Sequence, residues 1–231
     1  MAERRRAADL LGGLPAEQLR QPSLCTGWTV HDIAAHWVTF LHYGQLKLYV
    51  GLLRTVADLD DLNRRLTRWE ARRSSQELID LLRSRATSRF TPPRLGYDSV
   101  LTEMVLHDLD IRVPLGIARE TPEERLRLAF DHLTTAPALG FGVGSRLAGL
   151  RLVATDTGWA NGAGAPVRGP AEAVLLAAAG RSAGLEALEG DGVPILRHRL
   201  ATQLRPTAGR RVANLVAAMI RPPGRTAATA G

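Results

Sequence analysis

Residues 101–116 read LTEMVLHDLDIRVPLG, and the interpretation of this run decides the fold. Its apolar residues recur at helical spacing, which predicts a helix to about Val113, stopped near Pro114 and Gly116. Within it Glu103 and His107 stand four residues apart. Side chains at that spacing share a helix face, with Cβ atoms roughly 5–6 Å apart. A carboxylate and an imidazole so placed can hold one metal ion together. A third ligand is offered far upstream in Trp28–Trp37, WTVHDIAAHW, where His36 falls on another predicted helix. One histidine plus a Glu-x-x-x-His pair gives three protein ligands, the number a catalytic zinc site uses while keeping one position open.

Upstream of this run, residues 3–20 form a predicted first helix with Leu10, Leu11, Leu14 and Leu19 on its apolar side; Gly12, Gly13 and Pro15 weaken it. Thr29 is a good N-cap, with Asp32 three residues later to complement the helix N-terminus. The helix that follows is predicted through His36 and Leu41 to about Thr55. Ala57–Arg73 is polar and crowded with arginine, the pattern of a solvated helical face. Ser74 and Glu77 make a capping box for a helix over roughly 75–89. Thr91-Pro-Pro breaks the chain, and Thr121-Pro122-Glu123-Glu124 opens one more helix. Four or five helices over the first 140 residues imply an antiparallel bundle.

Downstream the pattern changes. Phe141–Gly149 is glycine-rich and reads as a linker. Leu150–Thr155 alternates like a strand, Asp156-Thr-Gly is turn chemistry, and Trp159 and Val167 fit neighbouring short strands. Gly169-Pro170 leads into AEAVLLAAAG, a short helix with Gly180 as its C-cap. The expected organisation is therefore α+β: a helix bundle over 1–140, a small α+β unit over 150–220, and a loose tail at 221–231.

Composition narrows the function. The chain has 231 residues, 45% apolar but only 5% aromatic, enough for a core built on Leu, Ala and Val. Its net charge of +7 comes almost wholly from arginine, with Lys47 the only lysine. That charge is scattered and accompanies no DNA- or RNA-reading motif, so no nucleic-acid partner is expected. No apolar stretch approaches the roughly 20 residues of a membrane span, and the N-terminus lacks the apolar core of a signal peptide. Cys25 is the only cysteine, which excludes an internal disulfide and suits a reducing cytoplasm. Cys25 is read as a packing residue rather than a nucleophile. His31, His42, His132 and His198 lack a comparable partner pattern, and Asp32 and Asp108 are expected to be solvated. Asp110, three residues beyond His107, either orients that imidazole or is an ordinary helix-face residue. The ligand candidates have ordinary readings too, as a packed histidine and a plain helical side-chain pair.

Three segments carry a family resemblance. PSLCTGWTVHDIAAHW (22–37) resembles the first motif of the DinB-like, maleylpyruvate-isomerase-type family of actinobacterial thiol-dependent proteins. LTEMVLHDLDIRVPLG is similar to its second motif, and VRGPAEAVLLAAAGRSAGLEALEGDG (167–192) resembles the sterol-carrier-like C-terminal unit of the same proteins. The resemblance implies a DinB-like four-helix bundle holding a divalent metal, zinc above all, through His36, Glu103 and His107. It further implies mycothiol or a similar low-molecular-weight thiol as cofactor, and isomerisation or S-transfer on a small electrophilic substrate. The alternative is a non-catalytic member that binds a small ligand or a regulatory partner. An arginine of the C-terminal unit also serves the isomerases. Here Arg181 matches it, either pairing with a substrate carboxylate or acting as a cation at its own helix C-terminus. A monomer or homodimer is expected.

Overall fold

The protein was analysed as a computed structural model, which describes residues 2–42, 59–88, 91, 96–118, 121–135 and 143–202. The expected continuation of the second helix to about residue 55, the Pro92-Pro93 break, the boundary at 140 and the tail at 221–231 lie outside the described residues.

The first predicted helix is two: α1 (Ala2–Gly13) and the single turn α2 (Ala16–Leu19). Gly12 and Gly13 end the first, and Pro15, with its fixed φ of −65°, starts the second. α3 (Val30–His42) begins at a reciprocal cap. The Asp32 carboxylate accepts from the Thr29 backbone N–H at 2.8 Å, and the Asp32 N–H donates to the Thr29 hydroxyl at 3.2 Å. Asp32 caps the helix, as its spacing from Thr29 predicts, and is half-buried. α4 (Leu59–Glu70) follows, then α5 (Ser75–Ser84) with the expected Ser74/Glu77 capping box, α6 (Gly96–Leu115) and α7 (Glu123–Thr135). Gly116, at φ +65°, closes α6 in a left-handed conformation that a side chain would resist.

Five of the described helices share one core: Ala8 and Leu11 of α1, Leu19 of α2, Ile33 and Val38 of α3, Leu78 and Leu82 of α5, Met104 and Ile111 of α6. Burying each large aliphatic chain contributes about 1.5–3 kcal/mol. α6 is packed on more than one side, because its Val105, Leu106 and Leu109 belong to a second core with α7 and the C-terminal elements. A helix apolar on several faces is a buried helix, and this central rod carries Glu103, His107 and Asp110.

The C-terminal part contains a three-stranded sheet in the order β2-β1-β3. β1 (Leu150–Ala154), the strand that the alternation of 150–155 predicts, pairs antiparallel with β2 (Trp159–Gly162) and parallel with β3 (Ala165–Gly169). The Asp156 turn caps the following helix: its carboxylate accepts from the Ala171 N–H at 2.8 Å. That helix is α9 (Ala171–Ala178); a 3₁₀ segment (Ser182–Ala187) and α10 (Gly192–Thr202) complete the part. The glycine-rich 141–149 stretch is not simply a linker. Val143–Leu147 forms a helical turn, α8, whose Val143 and Arg146 are buried. Phe130 of α7 stacks on Trp159 at 4.1 Å between ring centroids, which fastens α7 to the sheet. Among the described residues no helix is long and apolar enough to cross a membrane.

Candidate metal centre

Three side chains from two helices converge. α3 brings in His36, which is buried, while α6 presents Glu103 and His107 one helical turn apart. Glu103 Oε2 lies 3.0 Å from His36 Nε2 and 3.5 Å from His107 Nε2. All three potential ligand atoms fall within 4.8 Å of one another. Tetrahedral zinc with bonds of about 2.0–2.2 Å holds neighbouring ligand atoms about 3.3–3.5 Å apart. The two Glu103–histidine separations are close to that edge length. Glu103 is the most exposed of the three, with 38% of its side chain accessible against 4% for His36. The set is therefore walled on the histidine sides and open at the carboxylate.

The other nitrogen of each imidazole is also engaged. His36 Nδ1 meets Asn63 Oδ1 of α4 at 3.0 Å, and His107 Nδ1 meets Asp110 Oδ2 at 2.9 Å. Each ring thus has an acceptor on the far side and the Glu103 carboxylate on the near side. A neutral imidazole carries one N–H and cannot donate to both. Either a second proton or a cation in place of the Nε2 proton satisfies the arrangement, so the residues fit a divalent ion. Burial alone would push the Glu103 carboxyl up, but hydrogen bonds from His107 and His36 hold it well below the usual carboxylate range. Burial disfavours charge on His107 as well, yet its bonds to Asp110, Cys25 and Glu103 raise its proton affinity well above that of an ordinary imidazole. Trp28 flanks the set, with its ring centroid 5.2 Å from that of His36 and 6.2 Å from that of His107.

Arg181 arrives from the turn after α9. Its Nε and Nη2 donate to Asp110 Oδ1 and Oδ2 at 3.0 and 2.7 Å, a two-point grip, while Nη1 donates to Ala179 O at 3.0 Å. The edge suited to a substrate carboxylate is thus the one that holds Asp110, and the helix-end bond is present beside it. Of the two readings of Asp110, the structure selects the one in which it orients His107. Cys25 Sγ lies 3.1 Å from Asp110 Oδ2 and 3.6 Å from His107 Nδ1. Cys25, His107 and Asp110 form a second cluster of metal-ligating types. The Arg181 guanidinium, 3.7 Å from that sulfur, already supplies its positive charge.

Sequence reasoning missed Asn63, which sits in a stretch read as solvated, and Cys25 as a member of the network. It also missed that Asp108 is largely buried against Arg112, at 2.8 Å. Of the other histidines, His31 is tied to Ser75 Oγ and Ala71 O at 2.9 and 3.1 Å, a structural role.

A helical bundle whose central helix bears two ligand candidates, joined to a small three-stranded part, places the chain in the α+β class. Residues 1–94 match the family model of the mycothiol maleylpyruvate isomerase N-terminal domain. The matched stretch includes His36 and ends before Glu103. Among solved structures, a mycothiol-dependent maleylpyruvate isomerase superposes with a TM-score of 0.51 at 16% identity, covering 82% of this chain and 92% of that one. A histidine-to-alanine mutant of a mycothiol-dependent maleylpyruvate isomerase gives a TM-score of 0.49 at 16% identity over the same shares. At that identity the likeness is one of fold. No curated protein matches the sequence.

Proposed function

We propose that this chain is a divalent-metal-dependent enzyme that uses mycothiol or a similar low-molecular-weight thiol to isomerise a small electrophilic substrate, or to displace its leaving group in S-transfer, in the cytoplasm. The observation that carries the reading is the convergence of His36 Nε2, His107 Nε2 and the Glu103 carboxylate within 4.8 Å, with both remaining imidazole nitrogens tied down. Those three side chains would hold the ion, zinc being the best match to two nitrogens and one oxygen. When bound, the ion supplies a local positive charge that lowers the pKa of a thiol at the open position.

The protein's own residues do the rest. Asn63 and Asp110 fix the two rings so that each Nε2 faces the shared position. Trp28 supplies an apolar wall along both imidazoles, which excludes water from that side. Glu103 lies on the accessible side, where thiol and substrate would enter. The Arg181 guanidinium lies next to the site with its charge matched by Asp110.

The test is metal content together with thiol-dependent turnover. The reading expects close to one divalent ion per chain, lost in His36→Ala, Glu103→Ala and His107→Ala. It also expects conversion of maleylpyruvate, or of another activated cis-alkene, only when mycothiol is present. Protein that takes up no ion from excess zinc, or thiol-dependent conversion undiminished in His107→Ala, would sink it.

A further inference from the structure

The contacts around Asp110 reach beyond the ligand set. Its side chain is fully buried, and its two oxygens meet donors from three separate segments of the chain. Oδ2 faces His107 Nδ1 at 2.9 Å, the Cys25 thiol at 3.1 Å and Arg181 Nη2 at 2.7 Å; Oδ1 accepts from Arg181 Nε at 3.0 Å. The main chain repeats the connection, since the Leu24 N–H donates to Asp110 O at 3.0 Å and holds the Cys25 turn against α6.

Arg181 is itself immobilised. Gly180 adopts φ +99°, where a Cβ would come within 3.1 Å of the Arg146 guanidinium, and this turn aims the next side chain back across the end of α9. The Arg181 backbone N–H donates to Leu176 O at 2.8 Å, and its Nη1 to Ala179 O at 3.0 Å. A guanidinium fixed at one end and bidentate at the other sets both the position and the plane of the carboxylate it grips.

That carboxylate in turn sets His107. An imidazole whose Nδ1–H is held by a carboxylate has its tautomer and ring orientation fixed, with Nε2 left as the ligand atom. Without Arg181, Asp110 would keep a histidine and a thiol as partners but lose the two-point contact that stops it rotating.

We infer that Arg181 is a positioning residue for the metal site, acting through Asp110 on His107, so that ion affinity depends on a contact between segments 71 residues apart. The inference rests on the metal site proposed above. Because coupling between sites is reciprocal, a bound ion must tighten the Arg181–Asp110 contact by the same factor by which that contact tightens the ion. An arginine that served only to bind a substrate carboxylate would leave ion affinity untouched.

The experiment is titration of the metal-free full-length chain with cobalt(II), read by its visible absorption in competition with a chelator, for wild type, Arg181→Ala, Arg181→Lys, Asp110→Asn and the Asp110→Asn/Arg181→Ala double variant. Residues that orient a ligand typically account for 10- to 100-fold in metal affinity. Asp110→Asn is expected to weaken cobalt binding by about that factor and Arg181→Ala by about tenfold. The double variant should be no weaker than Asp110→Asn alone, because both changes cut the same chain of contacts. Arg181→Lys, which keeps the charge but not the two-point geometry, should fall between wild type and Arg181→Ala.

Wild-type affinity in Arg181→Ala, or losses that multiply in the double variant, would overturn the positioning role while leaving the metal site standing. If wild type itself takes up no cobalt, or His36→Ala binds it as wild type does, the metal reading falls and this inference with it. Circular dichroism of each variant identifies loss of fold, and the lysine variant keeps the test alive if the alanine variant does not fold.

Discussion

Asp108 and Asp110 stand two positions apart on α6, both largely withdrawn from water, and their carboxyls are driven in opposite directions. Burial pushes both up. At Asp110 the hydrogen bond to His107 and the charge and bonds of Arg181 more than reverse that push, so its carboxyl lies well below the ordinary range. At Asp108 burial prevails over Arg112, with Glu172 and Glu3 adding to it, and the carboxyl rises to about 6. The difference is one of counter-charge. Asp110 faces a guanidinium that grips both oxygens and an imidazole of high proton affinity. Asp108 has one arginine, whose Nη1 is also committed to Ala118 O, and other carboxylates near by. One side of the helix is thus built to keep a charge, and the other tolerates it poorly.

The largest expected effect follows from the charged side. Asp110→Ala removes the partner of Arg181, whose side chain is only 16% exposed, and leaves that cation without its two-point contact. Breaking a buried pair by removing one partner costs about 3–5 kcal/mol, a sizeable share of the roughly 5–15 kcal/mol that stabilises a domain. Urea denaturation of the full-length chain measures it. A loss below about 1 kcal/mol would place Asp110 with ordinary exposed ion pairs and erase the contrast with Asp108.

Asp108→Asn tests the other side, and its signature is pH dependence. The folded protein holds the Asp108 proton with a pKa of about 6, against 3.8 for the unperturbed group. A group whose pKa is raised on folding contributes its stability fully at low pH, and that contribution is lost as pH rises through about 4 to 6. The amide cannot ionise and escapes this loss. Relative to wild type, Asp108→Asn should therefore gain about 1–2 kcal/mol between pH 4.5 and pH 7.5. Melting temperatures of the two proteins across that range show it; a constant difference would mean that Arg112 satisfies the carboxylate after all.

The contrast also separates what was legible in the sequence from what was not. Local relations could be read. The i,i+4 pair Glu103–His107, the Thr29–Asp32 and Ser74–Glu77 caps, the breaks at Gly12-Gly13-Pro15 and the alternation of Leu150–Ala154 are all fixed by neighbours within a few residues. The partners that decide the electrostatics lie far along the chain. Arg181 is 71 residues from Asp110, and Cys25 is 85. An aspartate on a helix is ordinarily solvated, and Asp108 was expected to be so. Its burial follows from α6 lying between two cores, which the helical pattern of 101–116 does not reveal. Val143–Leu147 was obscured in the same way: its flanking glycines suggest a linker, while the burial of Val143 and Arg146 comes from tertiary packing.

Asn63 provides the finest test, because it does for His36 with a neutral amide what Asp110 does for His107 with a charge. Its Oδ1 meets His36 Nδ1 at 3.0 Å. A neutral hydrogen bond contributes about 0.5–1.5 kcal/mol, so Asn63→Ala should weaken cobalt binding by only about threefold to tenfold. Asn63→Asp would give His36 the same type of partner as His107. A carboxylate there raises the proton affinity of the ring, so protons should compete better with the ion, and cobalt affinity should fall more steeply below pH 6.5 than in wild type. Titrations at pH 6 and pH 8 measure both variants. Should Asn63→Ala cost as much affinity as Asp110→Asn, the two imidazoles would be held with equal force, and the charge on the His107 side would serve something other than orientation.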